Sequence, residues 1–115
     1  MKIAILTTDL MFSMRVVAAG KALGREVQVL AGVEQTEAKL APEVELVFLD
    51  LVGCGAAPNV ALAGVRQAAP RAQVVAFGPH VDEQLLAAAA SAGCDKVISR
   101  GEFQKSYVQM LQDAG

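Results

Sequence analysis

Apolar positions appear first as a short unbroken run, Ile3-Ala4-Ile5-Leu6, and again after Asp9 as a longer stretch from Leu10 to Ala18 interrupted by Ser13 and Arg15. The first run has the length of a buried strand. The second is too long and too apolar for a loop, so it predicts a helix ending near Gly20 and Gly24, with Gly24 suited to a left-handed cap. Alternation and β-branching in Glu26-Val27-Gln28-Val29-Leu30 predict a second strand. The short polar segment from Glu34 to Leu40 predicts a second helix, stopped by Pro42 and by the extended bias that a proline imposes on its predecessor.

Glu45-Leu46-Val47-Phe48-Leu49-Asp50 is the clearest strand, a run of apolar residues with a carboxylate where it ends. A loop rich in Gly and Ala, from Gly53 to Pro58, leads to a third helix over about Asn59 to Ala68. Gln73 to Phe77 predicts a fourth strand, broken by Gly78-Pro79, and Asp82 is suited to cap an alanine-rich helix that runs to Ala92 and closes at Gly93. Lys96-Val97-Ile98 is a short fifth strand. Ser99 and Glu102 have the spacing of a capping box, and Phe103, Tyr107, Met110 and Leu111 share one face of the helix that follows.

Five alternations of strand and helix imply right-handed crossovers onto one mostly parallel sheet, an α/β architecture with helices on both faces. Functional groups in such sheets gather outside the carboxyl ends of the strands. The residues to weigh are therefore Thr7, Thr8, Asp9, Asp50, Gly78, Pro79, His80, Ser99 and Arg100.

Composition narrows the classes. The 115 residues predict one domain spanning 1–115, and 54% hydrophobic with only 4% aromatic residues suits a sheet buried on both faces. Charges interrupt every apolar stretch well short of the roughly 20 residues a membrane span needs, and the amino-terminal run is too short for a signal peptide, so a cytoplasmic location is expected. Ten basic residues against twelve acidic ones give a net charge of −2 with no Lys/Arg cluster, which argues against nucleic acid as a partner. Cys54 and Cys94 are forty positions apart and predict two buried thiols in a reducing compartment. His80 is the only histidine, and nothing in the spacing of the cysteines brings them to it, so a zinc site is not expected.

The order of these features resembles the response-regulator receiver family over essentially the whole chain. Asp9 to Arg15 resembles the start of the first receiver helix, Glu45 to Asp50 the strand carrying the phosphoacceptor, and Ser91-Ala92-Gly93-Cys94-Asp95-Lys96-Val97 the stretch before the fifth strand. The resemblance implies a flavodoxin-like (βα)5 fold with a five-stranded parallel sheet in the order 2-1-3-4-5. It also implies a site where two neighbouring acids after the first strand join the acceptor Asp in holding magnesium. That set is incomplete here. Asp50 matches the acceptor, while the acidic pair is reduced to Asp9 beside Thr8. The family's hydroxyl after strand four is replaced by Gly78, and its Lys after strand five by Ser99 and Arg100; a planar guanidinium does not substitute for an ammonium point charge without rearrangement.

Two readings of Asp50 follow: a phosphoacceptor exposed at a strand end, or a structural carboxylate bonded to the amides of the following loop or paired with Arg100. Asp9 is either a remnant metal ligand or a helix N-cap. His80 is expected in an exposed loop open to a regulatory contact. The leading expectation is a non-catalytic pseudo-receiver of bacterial two-component or phosphorelay signalling, with no attached output domain. Its partners would be a signalling protein or a second copy, meeting the face of the fourth helix, fifth strand and fifth helix, and it would need no cofactor. The alternative is a working single-domain response regulator phosphorylated on Asp50, with Asp9 and Asp50 holding a weak magnesium ion. A small enzyme or ligand carrier on the same scaffold is a third reading, for which the sequence lacks a nucleophile–base pair or a cofactor fingerprint.

Overall fold

The computed structural model describes residues Lys2 to Ala114. Its elements run β1 (Lys2–Leu6), α1 (Leu10–Ala22), β2 (Glu26–Leu30), a 3-10 turn (Val33–Gln35), α2 (Thr36–Lys39), β3 (Val44–Asp50), α3 (Pro58–Ala68), β4 (Gln73–Gly78), α4 (Glu83–Ala92), β5 (Lys96–Ser99) and α5 (Arg100–Asp113). All strand pairs are parallel, and the sheet order is β2-β1-β3-β4-β5, the flavodoxin-like arrangement that the resemblance implied.

Successive side chains on a strand point to opposite faces, so an apolar run buried on both sides feeds two cores. Ile3, Ile5, Leu46, Phe48, Val75 and Phe77 pack on one face against Phe12 and Val16 of α1 and Phe103 and Leu111 of α5. Ala4, Leu6, Val47, Leu49, Val74 and Ala76 pack on the other against Ala61, Leu62 and Val65 of α3 and Ala89 of α4. The aromatic side is the denser in rings. Phe103 stacks on Phe77 with centroids 4.1 Å apart and meets Phe48 and Phe12 edge-on at 4.9 and 5.4 Å.

Helix ends follow the local chemistry. The carboxylates of Asp9 and Asp82 and the Ser99 hydroxyl accept from backbone amides three residues on, opening α1, α4 and α5; Asp82 and Ser99 are caps the sequence predicts, and for Asp9 the cap is one of its two readings. Gly93 closes α4 at φ +106°, a left-handed conformation that glycine adopts without a Cβ penalty. Gly24, at φ +73°, stands one residue beyond the Leu23 cap of α1.

Two expectations are corrected. The segment from Glu34 to Leu40 is not one helix: it splits into the 3-10 turn and a single α-helical turn, and Leu40 is already extended. So polar a stretch has little apolar surface with which to dock a longer helix. Of the two thiols, Cys54 is buried but Cys94 is only half-buried, and burial pushes the Cys94 thiol upward in pKa. Among the described residues, no helix is long and apolar enough to cross a membrane.

Candidate functional site

Register brings the site together. Leu6 pairs with Leu49 and Asp50 pairs with Phe77, so Thr7, one step beyond β1, lies beside the carboxylate that ends β3. This is the point where the chain order of the sheet reverses, with α1 leaving toward one face and α3 toward the other. Thr7 is held there by its own amide, which donates to the Leu30 carbonyl at 3.0 Å.

Asp50 is buried, its side chain only 4% exposed. Its Oδ2 accepts from the Thr7 hydroxyl at 2.7 Å, and its Oδ1 accepts from the backbone amides of Val52 at 3.1 Å and Gly53 at 3.2 Å. Burying a carboxylate demands such partners, and here both oxygens have them. Gly53 is needed for this closure. A Cβ there would stand 2.9 Å from Asp50 Oδ2 and 3.1 Å from both the amide and the hydroxyl of Thr8. The loop therefore folds onto the carboxylate only because that position has no side chain.

Asp9 lies at the mouth. Its Oδ1 accepts from the Phe12 amide at 3.0 Å, and its Oδ2 accepts from Arg100 Nη2 at 2.6 Å. The Phe12 amide holds the Asp9 carboxyl below the usual range; desolvation opposes it, and the Arg100 guanidinium and then Arg15 add to the lowering. Arg100, the first residue of α5, lies over the Phe12 ring at 5.0 Å and turns Nη1 toward Asp50 Oδ2 at 3.9 Å. One guanidinium thus spans both carboxylates. The Arg100–Asp50 pairing, one of the alternatives the sequence leaves for Asp50, is the longer contact, and Asp9 is the closer partner.

The other candidates fall into supporting places. With β1 ending at Leu6, the two positions that directly follow it are the hydroxyls Thr7 and Thr8, and Asp9 comes third. Gly78 is buried at the end of β4, where Leu51 and Leu86 side chains stand 3.5 Å from the position of an added Cβ. Ser99 pairs in register with Gly78, and its hydroxyl is committed to the Glu102 amide at 3.1 Å. Pro79 accepts from the Asp82 amide through its carbonyl, and His80 is exposed in the turn between β4 and α4. Thr7 is the functional group that sequence reasoning undervalued. A threonine after a strand signals nothing until register places it against Asp50.

A hard dication of the magnesium type needs about six oxygen ligands and sheds water reluctantly. Asp9 and Asp50 are the acids at this edge, each of their four carboxylate oxygens already accepts from a protein donor, and a guanidinium spans the pair. As arranged, these residues do not fit a magnesium ion. Among the described residues no three His, Cys, Asp or Glu side chains converge as a ligand group.

No family model matches the sequence, and no curated protein does. Solved structures do match. A two-component response regulator from Clostridium difficile is 16% identical, with 97% of this chain and 95% of that one covered and a TM-score of 0.78. The fold is that of a receiver domain. The beryllofluoride-activated NtrC4 receiver domain, a dimer, aligns over 98% and 97% of the two chains at 11% identity and a TM-score of 0.73. The receiver domain of a sensor histidine kinase from Pseudomonas aeruginosa, solved with magnesium coordinated in its active-site cleft, aligns over 96% of each chain at 14% identity and a TM-score of 0.72. At such identities the likeness concerns the fold; the chemistry has to be argued from the side chains.

Proposed function

We propose that this chain is a pseudo-receiver: a non-enzymatic, cytoplasmic signalling domain spanning residues 1–115 that works through protein–protein contact and does not accept a phosphoryl group. The observation that carries this reading is the state of Asp50. An acceptor must present a free carboxylate oxygen for in-line attack, and both oxygens of Asp50 are occupied from within by Thr7, Val52 and Gly53. The hydroxyl and ammonium that would receive the charge of an arriving phosphoryl group are replaced by Gly78 and the committed Arg100.

Contact falls to the face of α4, β5 and α5. Only Ala89 of α4 is buried, leaving Glu83, Gln84, Ala87, Ala88 and Ala90 at the surface as a low relief that another backbone can approach. The partner is a second copy or a separate signalling protein, and sedimentation over a wide concentration range tests the former. A monomer at every concentration removes the homodimer.

Amide spectra recorded with magnesium and beryllofluoride, a phosphoryl mimic, test the reading of Asp50. Resonances of Thr7, Asp50 and Gly53 are expected to stay in place. Saturable shifts centred on Asp50 would instead establish a working response regulator with Asp9 and Asp50 around a weak magnesium ion.

A further inference from the structure

We propose that Arg100 is the resident cation of this site: its guanidinium stands where two carboxylates would otherwise share a divalent metal, and it is the residue that closes Asp9 and Asp50 to hard dications. The inference goes beyond the phosphoryl reading, because it concerns which cation the site holds whether or not Asp50 reacts.

Three contacts fix the guanidinium. Nη2 donates to Asp9 Oδ2 at 2.6 Å, Nη1 faces Asp50 Oδ2 at 3.9 Å, and Cζ lies over the Phe12 ring, 5.0 Å from its centre. The first is a charge-assisted hydrogen bond of the short, strong kind, and the last adds cation–π attraction that an ammonium ion on a lysine stem makes less well. Asp9 is itself pinned by the Phe12 amide, so the acceptor is already in place when the guanidinium arrives.

A dication entering this space meets a positive charge within about 4 Å of each carboxylate and has to displace a charge-assisted bond to reach either one. With the guanidinium gone, Asp9 Oδ2 loses its donor, and Asp50 Oδ2 keeps only the Thr7 hydroxyl. The half-exposed Asp9 carboxylate and the buried Asp50 carboxylate then lose the one cation that spans them. This is the chemistry that attracts a hard, oxygen-seeking cation. The variant should therefore gain a weak magnesium site that the natural chain lacks.

The test is a magnesium titration of the full chain followed by amide shifts, with manganese as a paramagnetic check on location. The natural chain is expected to show no saturable response at Asp9, Asp50 or their neighbours. Arg100→Met keeps an unbranched stem over Phe12, and Arg100→Ala is measured beside it, with the dispersion of each amide spectrum confirming the fold. Either folded variant should show a saturable response about ten- to a hundredfold tighter than the weakest binding the titration of the natural chain could detect, the scale set by removing one positive charge from a partly buried site. Adding Asp50→Asn should abolish the gain, and Arg100→Lys should fall between. An equal response from the natural chain and folded Arg100→Met, or none from folded Arg100→Met, would overturn the assignment. Phosphoryl uptake by the natural chain would overturn the pseudo-receiver reading and leave this comparison of affinities standing, so the two failures are separable.

Discussion

The end of β3 and the region of α4 and β5 lie on the same sheet but are built differently. Six of the seven residues of β3 are buried, and the carboxylate at its tip is enclosed by a hydroxyl and two loop amides. β5 has no fully buried residue, and α4 buries only Ala89. Internal order is thus concentrated where a receiver would need an open pocket, and it is relaxed where a partner would need a surface. Rigid, fully paired polar groups resist rearrangement, whereas half-buried elements open at lower cost and tolerate change. On the proposed pseudo-receiver reading, the site is a fixed structural joint and the outer face makes the contacts.

The most severe way to break the contrast is Phe103→Ala. Phe103 is fully buried and touches Phe12, Phe48, Phe77 and Tyr107, so the loss should be about 3–5 kcal/mol in a denaturant titration. Removing the support of Asp50 is next. Thr7→Val keeps the shape but deletes the donor at 2.7 Å, and Gly53→Ala forces the loop off the carboxylate; each should cost about 1–3 kcal/mol. If Asp50 were loosely held, both changes would be nearly silent. Smallest of all should be Ala88→Glu on the exposed face of α4, which is expected to alter stability by no more than about 0.5 kcal/mol while weakening association in sedimentation. A large loss of stability there would mean that α4 is not a free surface.

Acid acts on one carboxylate in each region. Asp9 is held low by the Phe12 amide and then Arg100, and Asp95 by the Val74 amide at 2.7 Å and then Arg66. Both folded values lie below the unfolded ones. Their stabilising contribution is therefore complete above the ordinary carboxylate range, at about pH 5 and upward, and is lost as pH falls through the lowered values. Urea titrations at descending pH should show stability falling below about pH 5, and Asp95→Asn should flatten part of that fall.

Much of the architecture is legible in the sequence alone. Runs such as Ile3 to Leu6 and Leu46 to Leu49 announced buried strands, and Asp9, Asp82 and Ser99 announced helix starts, because caps and periodicity are local signals. The site was legible only in its components. Asp50 and Arg100 stood out by type and position, but the pairing of Arg100 with Asp9 spans 91 positions and depends on how α5 meets α1. Thr7 acquired its role from strand register, and Gly53 from a close approach that its lack of a side chain permits. The segment around Glu34 was misjudged for a related reason: a single helical turn is decided by what it docks against, which the sequence does not display.

The most direct test of the sealed carboxylate is the intact mass of the protein after incubation with acetyl phosphate and magnesium. An unchanged mass, identical to that of Asp50→Asn treated the same way, is the predicted result. A magnesium-dependent gain of one phosphoryl group, absent from Asp50→Asn, would contradict it.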